Sequence, residues 1–338
     1  MNTQQAVHSI TAQAVSLKAA ADYLGSGAVE VPIFEREITD MVRRSDPFYQ
    51  RIPSLPATGH PHRYFEQLAI ATATATDPRN LSQGASGPTR VERPAFIKAV
   101  TAQTNLSLFD KEVTQQQGQF ASVVAKDVDD IVNAVIVKAC EMTWAGSDTS
   151  LAAPTTYEWV GLLTQITQQA VCAVGVSIID TLKSEVAAMV ANVQFKVKPT
   201  GIAINPVLGD LIDREAKAAH IELGTMEIVA GVKVKSIATQ AGELPLIPTP
   251  YIPTTAAATA EYGFGATPAG IKGYYAVILS ESELERPVIS GTEFNPKPRL
   301  YQLGLIGNLA GQFVALVFDA LIAKGFAYAH STVQVLRP

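Results

Sequence analysis

Apolar residues recur every three or four positions in three stretches of the chain, which is the spacing of one face of an α-helix. The longest stretch, Gln119–Trp144, contains no glycine or proline, and as a helix it would be about 40 Å long. A second stretch covers Ser177–Val193. A third follows Asn205 and Pro206, which suit the N-cap and the first helical position. The sequence therefore predicts three helices, the first of them long.

Runs of alternating or β-branched apolar residues predict strands in much of the remaining chain. The predicted strands are Arg63–Thr72, Arg93–Leu108, Gly201–Asn205, Glu227–Thr239 (as one bent strand or a pair) and Tyr274–Leu279. Mixed helices and strands of this kind place the protein in the α+β class.

Other segments are less strongly patterned. Strands are expected from Leu300 onward, with a helix around residues 313–322 as the alternative. Thr156 is expected to cap a short helix that ends at Thr164. Composition rich in proline, threonine and alanine predicts loops at Gly242–Pro268 and Pro287–Pro298.

The connection between the first two predicted strands is long and polar. From Ala73 to Pro88 its only core-forming apolar residue is Leu81. Such a connection is unusual inside a compact domain, and a two-stranded hairpin is marginally stable alone in water. We therefore expect a hairpin that leaves its own domain and is received by a neighbouring subunit.

Composition narrows the class of protein. Apolar residues make up 47% of the 338 residues and charged residues 17%, against about 25% charged in typical soluble domains. That apolar content excludes a disordered chain, and a surface poor in charge suggests coverage by partners. The net charge of −5, with no basic run longer than Arg43–Arg44, does not favour a sequence-reading nucleic-acid binder.

The chain carries no recognisable catalytic motif, whether a nucleophile elbow, a phosphate-binding P-loop or a zinc-protease helix. His60 and His62 have no further ligand nearby in sequence, so surface histidines are expected rather than a metal site. Asp127, Asp129 and Asp130 are expected on a solvated helix face or in ion pairs between subunits. No catalytic, cofactor-binding or metal-binding residue is therefore predicted, and the protein is expected not to be an enzyme.

Redox and membrane signals are equally sparse. Cys140 and Cys172 lie in apolar runs and are expected to be buried free thiols. The first 21 residues lack the pattern of a signal peptide. Leu303–Phe318 is apolar but shorter than the roughly 20 residues that a membrane helix needs. No membrane partner is expected.

The order of these parts resembles the major capsid proteins of tailed bacteriophages, whose shell fold is shared with encapsulins and the herpesvirus capsid floor. Pro47–Glu66 followed by Thr72–Pro88 resembles an N-terminal arm leading into the extended loop of that family. Gln119–Trp144 resembles the spine helix, and Lys198–Pro206 resembles the phrase that enters a helix of the axial domain. Glu293–Arg299 falls where the peripheral domain crosses a three-fold contact in that family.

The resemblance implies a division of the chain into five parts. These are an N-terminal arm (1–59), an extended loop (60–109), a peripheral domain with the spine helix (110–154), an axial domain (155–285) and peripheral return strands (286–338). It also implies subunit contacts at the hairpin tip and near the three-fold, for which the candidates are Asp77, Arg79, Asn80, Glu293, Lys297 and Arg299.

By this resemblance the protein is a structural subunit that forms hexamers and pentamers of an icosahedral shell around double-stranded DNA. The implied partners are further copies of itself, a portal, and a separate scaffold or decoration protein. The scaffold is expected to be a separate protein, or absent, because no long scaffolding segment precedes the arm. DNA would be enclosed without sequence-specific binding, in a virion capsid assembled in the host cytoplasm. Two alternatives remain open: an encapsulin-like compartment around a cargo enzyme, and an α/β enzyme whose site is assembled from scattered residues.

Overall fold

The computed structural model describes residues 47–79, 86–107, 109, 112, 123–229, 232–289, 298–306 and 310–338. The chain divides into two units, Met1–Val42 with Leu108–Val124, and Arg43–Ser107 with Ala125–Pro338. Apart from the first two residues of the long helix, every element below belongs to the second unit. Most of the expected N-terminal arm lies outside the described residues.

The three helices predicted from the spacing of apolar residues are confirmed. The described helices are α1 (Pro47–Arg51), α2 (Val123–Ala145), α3 (Leu162–Gln165), α4 (Ile178–Val190) and α5 (Pro206–Ala218). The Asn205 side chain accepts a hydrogen bond from the Val207 amide at 3.0 Å and so caps α5 as predicted. The short helix expected from Thr156 is wrong, because α3 begins at Leu162, after Gly161. The Thr156 carbonyl instead accepts a hydrogen bond from the Lys98 ammonium group.

The N-terminus of α4 is capped from a distance as well as locally. The Ser177 hydroxyl accepts from the Asp180 amide. The Glu215 carboxylate, on α5, accepts from the amides of Ile178 at 3.0 Å and Ile179 at 3.2 Å. A carboxylate at this position satisfies helix amides that have no partner within the helix and complements the helix dipole.

The largest sheet has eight strands, here called the large sheet. Its order is β5-β16-β11-β6-β9-β8-β7, and β10 pairs with β11. The strands are β5 (Gln169–Cys172), β6 (Gly201–Ile204), β7 (Gly224–Val229), β8 (Val232–Thr239), β9 (Gly242–Pro248), β10 (Thr254–Thr255), β11 (Lys272–Leu279) and β16 (Ser331–Arg337). One core cluster joins Ile278 of this sheet to Leu182 of α4 and Ile212 of α5. Tyr275 belongs to a second cluster, which contains Trp144 at the end of α2.

The expectation that Gly242–Pro268 is entirely loop is wrong. Its first part is β9, which runs parallel to β6 and antiparallel to β8. Leu244, Leu246 and Ile247 of this strand are buried. Prolines lack the amide donor of a sheet ladder, so the composition favoured a loop, but the burial of these apolar side chains decides the structure.

A second sheet contains three strands in the order β13-β14-β4. They are β13 (Arg299–Ile306), β14 (Ala310–Asp319) and β4 (Lys98–Ser107). The strands expected beyond Leu300 are therefore confirmed, and the helical alternative is wrong. One face of this sheet packs on α2: Val100 and Val317 share a core cluster with Val135.

Two predicted boundaries are wrong in ways that matter for the site. Arg93–Leu108 is not one strand but two, β3 (Thr89–Ala95) and β4, which belong to different sheets. The loop expected from Pro287 is wrong at its start, because Pro287 lies in strand β12 (Leu284–Val288). Residues 290–297 of that predicted loop lie outside the described residues. Strand β12 pairs with β1 (Ser54–Pro56) and β15 (Ile322–Ala323) in a third sheet.

A buried ionic cluster joins α1, β12 and β14. The Tyr49 hydroxyl donates to the Asp319 carboxylate at 3.2 Å. The Arg286 Nε lies 3.7 Å from the same carboxylate, and its guanidinium stacks over the Tyr49 ring at 4.0 Å from the centroid. Complete burial outweighs the Arg286 charge and raises the pKa of Asp319 to about 6.

Two further expectations can be checked directly. Cys140 and Cys172 are buried free cysteines, as predicted. Among the residues that the structure describes, no helix is both long and apolar enough to cross a membrane.

Candidate inter-subunit contact surfaces

The predicted hairpin consists of β2 (His62–Ala69) paired antiparallel with β3. Its first strand alternates strictly at the start: His62, Tyr64 and Glu66 are buried, whereas Arg63 and Phe65 are exposed. This is the period of a strand with one face on the protein and one face in solvent. The hairpin therefore has an inner and an outer face.

The inner face is anchored by packing and by a buried carboxylate. Tyr64 forms a small apolar cluster with Ala95 and Ile322. The Glu66 carboxylate accepts from the Arg93 guanidinium at 2.6 Å and from the Gly325 amide at 3.0 Å. A buried carboxylate is costly unless it is paired in this way, so these contacts fix the base of the hairpin.

The outer face and the distal end expose apolar side chains. Phe65 is 68% exposed and Ile70, just beyond β2, is 73% exposed. Within the described residues no third strand pairs with this hairpin. Beyond the strands the two chain segments stay connected, because the Ser86 hydroxyl donates to the Thr72 carbonyl at 3.2 Å.

The candidate contact residues at the hairpin tip are placed only in part. Asp77 and Arg79 are exposed, and the Asp77 carboxylate accepts from the Arg79 backbone amide at 2.9 Å. Asn80 lies outside the described residues. The pair thus forms a local turn in solvent, and its role in subunit contacts stays a prediction.

A second exposed apolar surface lies on the sheet β13-β14-β4, on the face away from α2. We call it the outer sheet face; it carries Tyr301, Leu303 and Phe318, which are 44%, 48% and 37% exposed. In register, Tyr301 and Gln103 both lie opposite Val314. Exposed apolar residues grouped on one face commonly mark an interaction surface.

The candidates near the expected three-fold are also placed only in part. Arg299 is exposed at the start of β13, opposite Leu316, at one end of the outer sheet face. Glu293 and Lys297 lie outside the described residues. Their proximity to Arg299 is therefore not described.

Clusters of metal-ligating side chains were expected to be absent. In the part of the chain that the structure describes, no group of three His, Cys, Asp or Glu residues could hold a metal ion. Lys126 pairs with Asp130 at 3.0 Å on α2, an arrangement typical of a wet helix face.

The expectation that His62 is a surface histidine is wrong. Its side chain is buried, its Nδ1 accepts from the Thr58 amide at 3.3 Å, and burial lowers its pKa. No local sequence pattern indicates this, because Glu285 and Lys324, whose charges act on the His62 ring, are distant in the chain. His60 is exposed, as expected, and lies edge-on to the Phe96 ring.

The half-buried strand pair and the exposed apolar sheet face are two different candidate contact surfaces on the same chain. Two such surfaces that meet between identical copies give a heterologous, head-to-tail contact, which generates rings when the rotation closes and open filaments when it does not. The geometry therefore suits self-assembly.

Comparison with known proteins identifies the fold. No protein-family model matches the sequence, and no curated protein matches it. Three solved structures illustrate the structural similarity. The capsid of a native GTA particle matches with a TM-score of 0.63 at 11% identity, over 93% of this chain and 98% of that chain.

The other two solved structures have similar TM-scores. The head of Helicobacter pylori bacteriophage KHP40 matches with a TM-score of 0.62 at 8% identity, over 92% of this chain and 95% of that chain. The encapsulin complex of Synechococcus elongatus PCC 7942 matches with a TM-score of 0.57 at 13% identity, over 93% of this chain and 94% of that chain. The chain therefore has the shell fold shared by phage capsids and encapsulins, as the sequence resemblance implied.

Proposed function

We propose that this chain is the major capsid protein of a tailed bacteriophage. Copies of it associate as hexamers and pentamers and close an icosahedral shell around double-stranded DNA. Its role is structural rather than catalytic, and its place is the virion capsid, assembled in the host cytoplasm.

The observation that carries the proposal is the hairpin in the context of the whole fold. Phe65 and Ile70 are more than two-thirds exposed on an element that has no third strand among the described residues. The similarity to capsid subunits extends over nine-tenths of both chains rather than over one domain. A neighbouring copy that covers the hairpin would bury these side chains, and the outer sheet face is the surface we propose to receive it.

Charge is compatible with enclosing DNA without gripping it. The net charge of the chain is −5. An acidic lining repels the phosphate backbone and leaves the packaged DNA free to slide. A portal, and a scaffold or decoration protein, are proposed further partners.

The second candidate is an encapsulin-like compartment, and the similarity to the Synechococcus elongatus encapsulin complex is the observation that favours it. Both candidates predict closed shells. They differ in content, since a phage shell takes up DNA and an encapsulin takes up a cargo protein.

Electron microscopy of the purified full-length chain, with size-exclusion chromatography, tests the proposal. We expect closed particles or capsomer rings; neighbouring genes for a terminase and a portal would then favour the phage shell, and a gene for a cargo enzyme the encapsulin. A discrete monomer that binds a small ligand, and stays monomeric with its neighbouring gene products, would contradict both shell candidates and favour the enzyme alternative.

A further inference from the structure

The hairpin borders two open spaces, one near its base and one near its distal end. A cavity of about 480 Å³ lies between residues 91–94 of β3 and residues 149–152. A second cavity, of about 530 Å³, lies between residues 69–72 and residues 194–196. The hairpin is therefore not packed continuously at these two places, so the contacts between the two cavities contribute more to holding its direction.

A short turn stands at that position. We call residues 324–330, between β15 and β16, the 324–330 turn. It contacts the hairpin twice: the Gly325 amide donates to the Glu66 carboxylate at 3.0 Å, and the Phe326 ring lies 4.9 Å beneath the Arg93 guanidinium. Phe326 also lines the first cavity.

The same turn is attached on its other side to segments that flank the large sheet. The Tyr328 ring stacks on Phe195, with centroids 3.8 Å apart and an interplanar angle of 9°. The Phe326 carbonyl accepts from the Thr167 amide at 3.1 Å, two residues before β5. At the end of the turn, His330 Nδ1 accepts from the Ser280 amide at 3.3 Å, one residue after β11.

The conformation of the turn is constrained around Gly325. Gly325 has φ = +64°, which favours glycine. A Cβ at this position would lie 2.9 Å from the Tyr328 ring and 3.0 Å from the Ala329 Cβ. The amides of Tyr328 and Ala329 both donate to the Gly325 carbonyl, at 2.9 and 2.7 Å. The ring that meets Phe195 and the amide that meets Glu66 are thus fixed relative to each other.

We propose that the 324–330 turn is the mechanical link that sets the direction of the hairpin relative to the large sheet, and through it the size of the assembled shell. The inference rests on the proposed shell function for its second half. A closed shell of one size needs the angle between the surface that gives a contact and the surface that receives it to stay within a narrow range. A hairpin that swings about its base gives mixed closures instead of one.

Hydrogen exchange of the full-length Gly325→Ala variant tests the first half. The left-handed conformation and the close approach strain the turn, so we expect the amides of β2 and β3 to exchange about tenfold faster. Gly270→Ala is the matched control, because Gly270 also has a positive φ of +77° but has no atom within 4 Å of the place that a Cβ would occupy. Unchanged exchange in β2 and β3, or an equal increase in the control, would overturn the link.

A milder pair of variants covers the case in which Gly325→Ala does not fold. Phe195→Ala removes the stacking partner of Tyr328 and leaves every residue of the hairpin unchanged, and we expect about threefold faster exchange in β2 and β3. Val193→Ala, in the same segment and 99% exposed, is its control. Exchange in the hairpin that is identical in Phe195→Ala, Val193→Ala and the wild type would overturn the proposal.

Electron microscopy of the same variants tests the second half. We expect a broader distribution of particle diameters for Gly325→Ala or Phe195→Ala than for their controls. If the wild type assembles and both variants give particles of the same diameters, the inference about shell size is contradicted and the proposed function is not. If the wild type never assembles, the proposed function is contradicted. The exchange data then still decide whether the turn links the hairpin to the large sheet.

Discussion

Strand β11 of the large sheet and strand β2 of the hairpin differ in how far they are buried. Strand β11 lies inside the large sheet, and seven of its eight residues are buried. Strand β2 of the hairpin buries one face. Phe65 on its other face and Ile70, just beyond its end, are exposed. The large sheet is stabilised by the subunit itself, whereas the hairpin is only half buried. The difference suggests that subunit folding and subunit assembly depend on separate residues.

The sharpest test of this separation is a cavity in the large sheet. Ile278 of β11 is fully buried, so Ile278→Ala is expected to lower the free energy of unfolding of the subunit by ~2–5 kcal/mol. Chemical denaturation measures this change. Val171→Ala, at a position 53% exposed in the same sheet, should alter it by less than ~0.5 kcal/mol. Equal effects at the two positions would remove the basis of the comparison.

Two buried titratable groups, one beside the large sheet and one in β14, have opposite pH dependences. Burial lowers the pKa of His330, beside the large sheet, to about 4. Its stabilising effect is present above pH 6.5 and is lost as the pH falls towards 4. Burial raises the pKa of Asp319, in β14, to about 6. Its stabilising effect is present below pH 4 and is lost as the pH rises towards 6.

In the wild-type protein these opposing effects nearly cancel between pH 4 and 6. In Asp319→Asn only the His330 effect remains, so the stability of the variant relative to the wild type should rise by ~2 kcal/mol from pH 4 to pH 6. Denaturation of both proteins across this range measures the difference in their free energy of unfolding. The contributions of groups that titrate equally in both proteins cancel in this difference. Parallel curves would contradict the assignment.

The long-range cap of α4 predicts a smaller effect within the large-sheet region. Glu215→Ala leaves the amides of Ile178 and Ile179 without the carboxylate that accepts from them. We expect a loss of ~1–2 kcal/mol in the free energy of unfolding. Glu222→Ala, at an exposed position after α5, is the control and should change little. A loss no larger than that of the control would show that the cap is energetically neutral.

The smallest effect on stability is expected where the effect on assembly is largest. Phe65→Ala, on the outer face of the hairpin, should change the free energy of unfolding of the subunit by less than ~0.5 kcal/mol. It should nevertheless reduce the yield of closed particles in sedimentation, because its exposed ring is the proposed contact. Gln67→Ala, two residues along the same face, is the control. Normal assembly of Phe65→Ala would argue that the outer face is not a contact.

Local patterns were sufficient for three of the five described α-helices. The spacing of apolar residues predicted α2 and α4, and Asn205 with Pro206 predicted the start of α5. These signals lie within a few residues of each other, so they act in any fold. Strand β9 was missed because its prolines favour a loop locally, whereas its place between β6 and β8 depends on residues far along the chain.

The site shows the same limit more strongly. The polar connection predicted the hairpin, but nothing near Glu66 indicates that its carboxylate meets the Gly325 amide, 259 residues away. The stack of Phe195 on Tyr328 joins two segments that share no sequence motif. Such contacts are set by the packing of whole elements, and sequence reasoning on one chain has no signal for them.

The most direct test of the account removes the distal end of the hairpin. Deletion of residues 74–88 leaves β2 and β3 in place, and the variant and the wild type are compared by electron microscopy after circular dichroism has checked folding. We expect a folded subunit that forms no closed shells, beside a wild type that does. Normal shells from the deletion variant would contradict the claim that the hairpin serves assembly.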